Sequence, residues 1–331
     1  MEIRYSYFMK KIAVIPPVGK SDYLANTVID GLIQLAPEVE FKTLGNFPNP
    51  FSIEDTILTD AQFTEYAAHA DLLVLCWGKE STNYAFAEKI GRWDATIFID
   101  GSELGRDRRY DVEIRKQVEE MTYEGNGAID RVMLEKCKRY FRRERPYIKG
   151  ILPLPFGIER RYVTHYDPCV RKDIDFVCIF GQEDYPKMRK EVRKELEKFT
   201  RDNGFTAATA KTPGFNFDDT TRRAGRDEFH ELLARAKVGV SVGGGGYDTA
   251  RFWEILGNQC VLLTETIDID IPEGTAFNPK RVVEFKDVVE FKNKLEELGK
   301  MIKTSYTHLY DPSVEKHTTK ARVEYILEKS L

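Results

Sequence analysis

Val238-Gly-Val-Ser-Val-Gly-Gly-Gly-Gly-Tyr247-Asp248-Thr-Ala-Arg251-Phe-Trp-Glu254-Ile-Leu-Gly257 joins an apolar run to four consecutive glycines and then to an amphipathic segment. The apolar run predicts a buried strand, the glycines a tight turn, and the remainder a helix with Asp248 at its N-cap. The apolar residues 260–264 that follow predict the next strand. Strand, turn, helix and strand in this order form the repeating unit of a parallel α/β sheet. A glycine turn at this place lets a ligand approach the backbone. The helix end beyond it offers free N–H groups and the positive end of the helix dipole, which suits phosphate. Arg251 falls in the first helical turn, where the dipole disfavours a cation, so it needs an anionic neighbour. Glu254, three residues on, is one such neighbour. A diphosphate lying on the same helix end is another, and the residues alone leave both readings open.

The alternation extends in both directions from this stretch. Strands are expected at 11–15, 39–44, 71–77 and 95–100, with helices at 22–35 and 83–90. A charged helical region is expected over 112–143, broken near Gly125-Asn-Gly127. Ile151-Leu-Pro-Leu-Pro-Phe-Gly157 reads as a proline-punctuated linker. The pattern then restarts, with strands at 175–180, 205–210 and 282–285 and helices at 186–199, 227–236, 287–303 and 314–331. The expected fold is therefore α/β, with two doubly wound, Rossmann-like domains facing across a cleft. Their expected limits are 1–155 and 156–313, with a final helix over 314–331 packing back toward the first domain. Ligands of such sheets bind outside the carboxyl ends of the strands.

Composition narrows the function classes. The chain has 331 residues, enough for two α/β cores. Apolar residues make up 42% and charged residues 31%, the balance of a globular chain. The net charge of −4 argues against nucleic acid as the main partner. The five cysteines include no C-x-x-C, so neither a disulfide framework nor a zinc site is indicated. No signal peptide or membrane-spanning run is read at the start or elsewhere, and a reducing cytoplasm is the expected compartment.

Several motifs bear on chemistry. Val14-Ile-Pro-Pro-Val-Gly19-Lys20-Ser21 nearly matches the phosphate loop G-x-x-x-x-G-K-S, but Val14 replaces the first glycine and two prolines remove amide donors. An NTPase is thus disfavoured, while Gly19 and Lys20 remain candidates for a cleft loop. Two Asp-Ile-Asp triplets, 173–175 and 268–270, have the spacing of a divalent-metal ligand, yet the first opens a strand and the second sits in an acidic loop. Solvated loops are favoured for both, and no metal is expected. The basic run 136–149 reads as a solvated helix face with Tyr140 and Phe141 tucked inward, or as a peripheral contact with an anionic membrane surface. Asp100, in Phe98-Ile-Asp100-Gly-Ser-Glu103, ends a strand at the ligand-binding edge. It is the candidate for a catalytic base or an acceptor contact, with turn-capping as an equal alternative. The five histidines are isolated in sequence, which gives no support to a hydrolase triad.

Taken together these segments resemble the GT-B glycosyltransferases, and more closely the CgeB/YkvP-like group of spore-coat and surface-glycan transferases. The likeness is carried by Phe98-Ile-Asp-Gly-Ser102, by Tyr140-Phe-Arg-Arg-Glu144 with Ile151 through Ile158 and Phe176-Val-Cys-Ile-Phe-Gly181, and by Phe229 through Thr264. It is strongest over 140–265. The resemblance implies a nucleotide-diphosphate sugar, UDP- or GDP-linked, as substrate with no required cofactor, and a glycan or surface polymer as acceptor. It places the donor on the turn Gly243, Gly244, Gly245, Gly246, Tyr247, Asp248 and Thr249. Arg251 would face the diphosphate and Glu254 the ribose, with help from Lys187 or Arg189. Related retaining enzymes carry a second glutamate eight positions before the first, where this chain has Gly246. That departure keeps a rival in play, a non-catalytic nucleotide-sugar-binding or assembly protein of the same fold.

Overall fold

The computed structural model describes residues 9–19, 22–77, 83–105, 111–145, 147–209, 224–308 and 310–331. The chain divides into two compact units. The first comprises Met1–Gly157, Ile269–Glu273 and Thr319–Leu331, and the second Ile158–Asp268 and Gly274–Thr318.

The first unit contains, in chain order, β1 (Lys10–Ile15), α1 (Tyr23–Gln34), β2 (Val39–Leu44), β3 (Ile57–Leu58), α2 (Asp60–Ala68), β4 (Leu72–Trp77), α3 (Tyr84–Ile90), β5 (Thr96–Asp100), α4 (Val112–Glu119), α5 (Arg131–Lys136), β6 (Arg139–Arg142) and β7 (Ile151–Pro153). The strands pair in parallel in the order β3-β2-β1-β4-β5-β6-β7. Residues 72–76 of β4 are at most 2% exposed, as a strand covered by helices on both faces must be. Aspartates start the helices: Asp22 accepts the amides of Leu24 and Ala25 at 2.9 Å, and Asp111 and Asp130 do the same for α4 and α5.

The region 112–143 departs from the expected helix. It holds the two short helices α4 and α5 and then a strand, and the expected linker contributes another, β7. Tyr140 and Phe141 point to opposite faces of β6, and both are buried. Edge-on packing of Tyr140 against Phe98, with ring centroids 5.0 Å apart, fixes one face. Arg142 and Arg143 are also buried, so the basic run is not a continuous solvated face.

The second unit contains β8 (Ile174–Cys178), α6 (Lys187–Asn203), β9 (Ala207–Thr209), α7 (Ala224–Arg235), β10 (Ala236–Ser241), α8 (Ala250–Gly257), β11 (Val261–Glu265), β12 (Val282–Phe285) and α9 (Val288–Thr304). Its strands are also parallel, in the order β12-β11-β10-β8-β9. Two glycines of the decisive stretch serve packing. A Cβ at Gly239 would lie 2.6 Å from Ile255, and one at Gly257 would lie 2.5 Å from Ile158. They let α8 lie close on β10 and on the segment before β8.

The last helix, α10 (Thr319–Ser330), belongs to the first unit and crosses α1 at Gly31. A Cβ there would be 2.4 Å from the Thr319 carbonyl oxygen. The buried hydroxyl of Thr319 donates to Asp30 at 2.6 Å. The helix begins later than the expected 314, because Pro312–His317 forms a 3-10 turn.

Candidate functional site

In a doubly wound sheet the crevice opens where successive crossovers leave a strand in opposite directions. In the second unit β9 lies on one side of β8 and β10 on the other, so the switch point lies between β8 and β10. The loops leaving these two strands carry Gly181 and Gln182 on one side and the glycine turn on the other.

Arg189, in the first turn of α6, joins the two loops. It donates to the carbonyl oxygens of Gln182 at 2.9 Å and Val242 at 3.2 Å. A Cβ at Gly244 would lie 3.1 Å from its guanidinium, so glycine leaves room for the arginine. None of Gly243 to Gly246 adopts the left-handed backbone region, and close approach accounts for their presence better than dihedral freedom. The Gly243 amide donates to the buried carboxylate of Glu265, at the end of β11, at 3.0 Å. The Gly244 amide turns back to the Gly246 carbonyl at 2.7 Å.

Helix α8 begins at Ala250 with Thr249, not Asp248, at the N-cap. Asp248 is buried and accepts the Trp253 indole N–H at 2.7 Å. The hydroxyl of Thr249 is buried and has no hydrogen-bond partner among the described residues. Tyr247 is buried beside it.

Arg251 and Glu254 meet at 2.9 Å. The Arg251 Nη1 group nevertheless makes no aligned hydrogen bond, so the approach is a charge contact rather than a fork. The guanidinium carbon lies 3.6 Å from the centre of the Phe229 ring, a close cation–π contact. On the other side His230 Nε2 lies 3.3 Å from Glu254. Burial pushes the Glu254 pKa up, but Arg251, then His230 and Arg161, outweigh it and hold the group at about 2. The result is a carboxylate ionised at neutral pH, beside an arginine held by an ion pair and a ring contact near a helix N-terminus. Phe229, His230, Arg161 and Glu265 were not singled out by the sequence. They reach the site from α7, from the segment before β8 and from β11, and only the fold brings them together.

The other sequence-derived candidates belong to other elements. Lys187 points into solvent, its side chain 88% exposed, and pairs with Glu191 at 3.2 Å. Asp100 ends β5 of the first sheet and is 1% exposed. One of its oxygens accepts the Ser102 amide at 2.8 Å, and the other accepts Tyr140 Oη at 2.6 Å and Arg142 Nη1 at 2.8 Å. It is thus placed as the anchor of a buried arginine. Gly19 follows β1 at the switch point of the first sheet, with φ +106° and open space around it, while Lys20 lies outside the described residues. Asp173 pairs with Arg235 at 2.8 Å, Asp175 with Lys237 at 2.6 Å, and Asp270 with Arg145. No helix of the described residues is long and apolar enough to cross a membrane.

Comparison with solved structures gives the architecture its class. HepE from Anabaena, in complex with UDP and glucose, is similar with a TM-score of 0.53 and 8% identity, over 97% of this chain and 98% of that one. A Listeria monocytogenes protein described as a UDP-N-acetylglucosamine 2-epimerase is similar with a TM-score of 0.52 and 10% identity, over 96% and 95%. The chain has the GT-B type of α/β fold, with two Rossmann-like units. No family model matches it, and no curated protein sequence does. At such identities the likeness is one of fold, and it does not reach the narrower CgeB/YkvP-like group.

Proposed function

We propose that this protein is a glycosyltransferase that moves a sugar from a nucleotide-diphosphate sugar to a hydroxyl acceptor on a glycan or surface polymer. In this reading the second unit holds the donor, UDP- or GDP-linked, and the first unit the acceptor. The observation that carries it is the convergence of Arg189, the glycine turn and Arg251 on one switch point, at the N-terminus of α8. The HepE structure, which contains UDP and glucose on a similar fold, supports a nucleotide-sugar ligand.

The acceptor oxygen would bond to the anomeric carbon as the bond from that carbon to the diphosphate oxygen breaks. The electron pair leaves on the diphosphate, and the hydroxyl proton passes to a general base. The free amides of α8 and Arg251 are placed to take up the charge developing on the diphosphate without a required metal. Glu254, ionised at neutral pH, is suited to accept the ribose hydroxyls once Arg251 turns to the phosphates. Asp100 can serve as base only by giving up Arg142, so its buried network favours an anchoring role.

The test compares three ligands by calorimetry: the nucleotide sugar, the nucleoside diphosphate and the nucleoside monophosphate. Arg251→Ala should cost the first two about 1.5–3 kcal/mol and the monophosphate much less. Equal losses for all three, or none, would remove Arg251 from the site. Turnover separates the related readings. Release of nucleoside diphosphate that depends on acceptor marks a transferase, and an isomerised sugar marks an epimerase like the Listeria neighbour. Binding without either product marks the non-catalytic alternative.

A further inference from the structure

A cavity of about 430 Å³ lies in the second unit, lined in part by Arg171, Lys172, Lys237, Ile302, Tyr306 and His308. Arg171 and Lys172 precede β8, Lys237 opens β10, and the others come from the end of α9 and the residues after it. The cavity is thus at the amino ends of the strands. The glycine turn is at their carboxyl ends, about 20 Å away along the six-residue strand β10. The two sites do not overlap.

The lining is cationic. Three of its side chains carry positive charge and none is a carboxylate. Lys237 is compensated by Asp175 at 2.6 Å. Lys172 is buried, and its ammonium donates to the carbonyl oxygens of Asn258 at 2.6 Å and Leu233 at 3.3 Å, which gives it hydrogen bonds but, among the described residues, no counter-charge. Two further polar atoms, Tyr306 Oη and His308 Nδ1, are buried without a hydrogen-bond partner among the described residues. A buried polar group left unpaired costs about 1–3 kcal/mol, so two on the wall of one cavity require an explanation. Both can be donors. The His308 Nε2 atom faces the Tyr166 hydroxyl at 3.4 Å, and in the tautomer where Nε2 accepts from that hydroxyl the ring proton is on Nδ1. Burial, and then Lys172 and Arg281, hold the His308 pKa down at about 4, so the ring is neutral at physiological pH. A cavity of this volume is in the range of small-molecule sites.

We propose that this cavity is a second ligand site, for a small molecule carrying a phosphate group, which would accept hydrogen bonds from Tyr306 and His308 and neutralise the Lys172 charge. The probe is inorganic phosphate, titrated into the full chain by calorimetry at constant ionic strength, with the His308 ring resonances followed by NMR. Wild type and Arg251→Ala should bind it alike, and the His308 resonances should shift. Tyr306→Phe should weaken binding about fivefold, the worth of one hydrogen bond, and Arg171→Ala should weaken it as well. Tyr306→Phe should not lower the stability of the ligand-free protein, because its hydroxyl has no partner there to lose. No saturable binding would overturn the proposal. So would binding that survives both Tyr306→Phe and Arg171→Ala, or that disappears in Arg251→Ala and belongs to the glycine turn.

Discussion

Each sheet carries an arginine–carboxylate pair at its carboxyl edge, and the two pairs are built differently. In the first unit Arg142 and Asp100 are sealed, with side chains 0% and 2% exposed. Every contact is directional: Arg142 also donates to the carbonyl oxygens of Glu144 at 2.8 Å and Gly127 at 2.6 Å. In the second unit Arg251 and Glu254 are 17% and 11% exposed, and the arginine contacts the carboxylate without an aligned hydrogen bond. Arg251 also sits at the end of a helix where the dipole opposes it. The same two residue types thus make a fixed strut in one place and an exchangeable contact in the other. Aligned donors, burial and the surrounding dipole decide between them.

The comparison breaks most visibly at Asp100. Replacing Asp100 by Ala leaves the Arg142 guanidinium buried without its counter-ion, which should cost about 3–5 kcal/mol of stability. The urea midpoint should fall sharply. A variant that keeps wild-type stability but loses turnover would reverse the assignment and restore Asp100 as the catalytic base.

Glu254→Gln probes the second pair, with a smaller effect and a pH signature. The folded-state pKa is about 2, below the ordinary value of 4.5, so the ion pair contributes stability above about pH 4.5 that is lost as pH falls through about 2. The variant lacks that contribution, so the stability gap between wild type and Glu254→Gln should narrow as pH drops across this window. At neutral pH nucleotide-sugar affinity should fall by about 1.5–3 kcal/mol, because an amide accepts the ribose hydroxyls less well than a carboxylate. A gap independent of pH would show that Arg251 and Glu254 are not coupled.

The contrast also explains what the sequence made legible. The strand at 72–77 is apolar throughout and the strands at 236–241 and 261–265 have apolar centres, and runs of this kind mark a parallel sheet covered on both faces. The glycine turn was legible because nothing but a turn accommodates four glycines, and the Arg251–Glu254 pair because three residues bring two side chains together on a helix. Strand β6 was hidden because its apolar pair is flanked by arginines, and only the fold supplies Asp100 to make Arg142 a core residue. The same holds for the N-cap of α8. Asp248 and Thr249 are both good caps by composition, and the structure puts Thr249 at the cap while Asp248 accepts the indole of Trp253. His230 and Arg161 lie far from Glu254 in the chain, so no spacing rule relates them.

The finest division falls within one helix turn. Lys187 and Arg189 are both basic residues at the start of α6, and by sequence either was a candidate for the diphosphate. Lys187 is 88% exposed and, among the described residues, pairs with Glu191 alone. Arg189 is partly buried, stands over the Phe180 ring at 5.3 Å and bonds the loops after β8 and β10. Lys187→Ala should therefore change stability and ligand affinity by no more than about 0.5 kcal/mol, the usual range for a surface substitution. Arg189→Ala removes two hydrogen bonds to carbonyl oxygens and the positive charge nearest Gly244. It should cost about 1–2 kcal/mol in stability and weaken the nucleoside diphosphate more than the nucleoside. Arg189→Lys keeps the charge but cannot span two carbonyl oxygens with a planar fork, so it should recover part of the affinity and little of the stability. If the lysine variant recovers both in full, the bridge between the loops contributes nothing and charge alone explains the position. If Lys187→Ala instead weakens the ligand as much as Arg189→Ala, the diphosphate lies outside the turn, over the exposed start of α6.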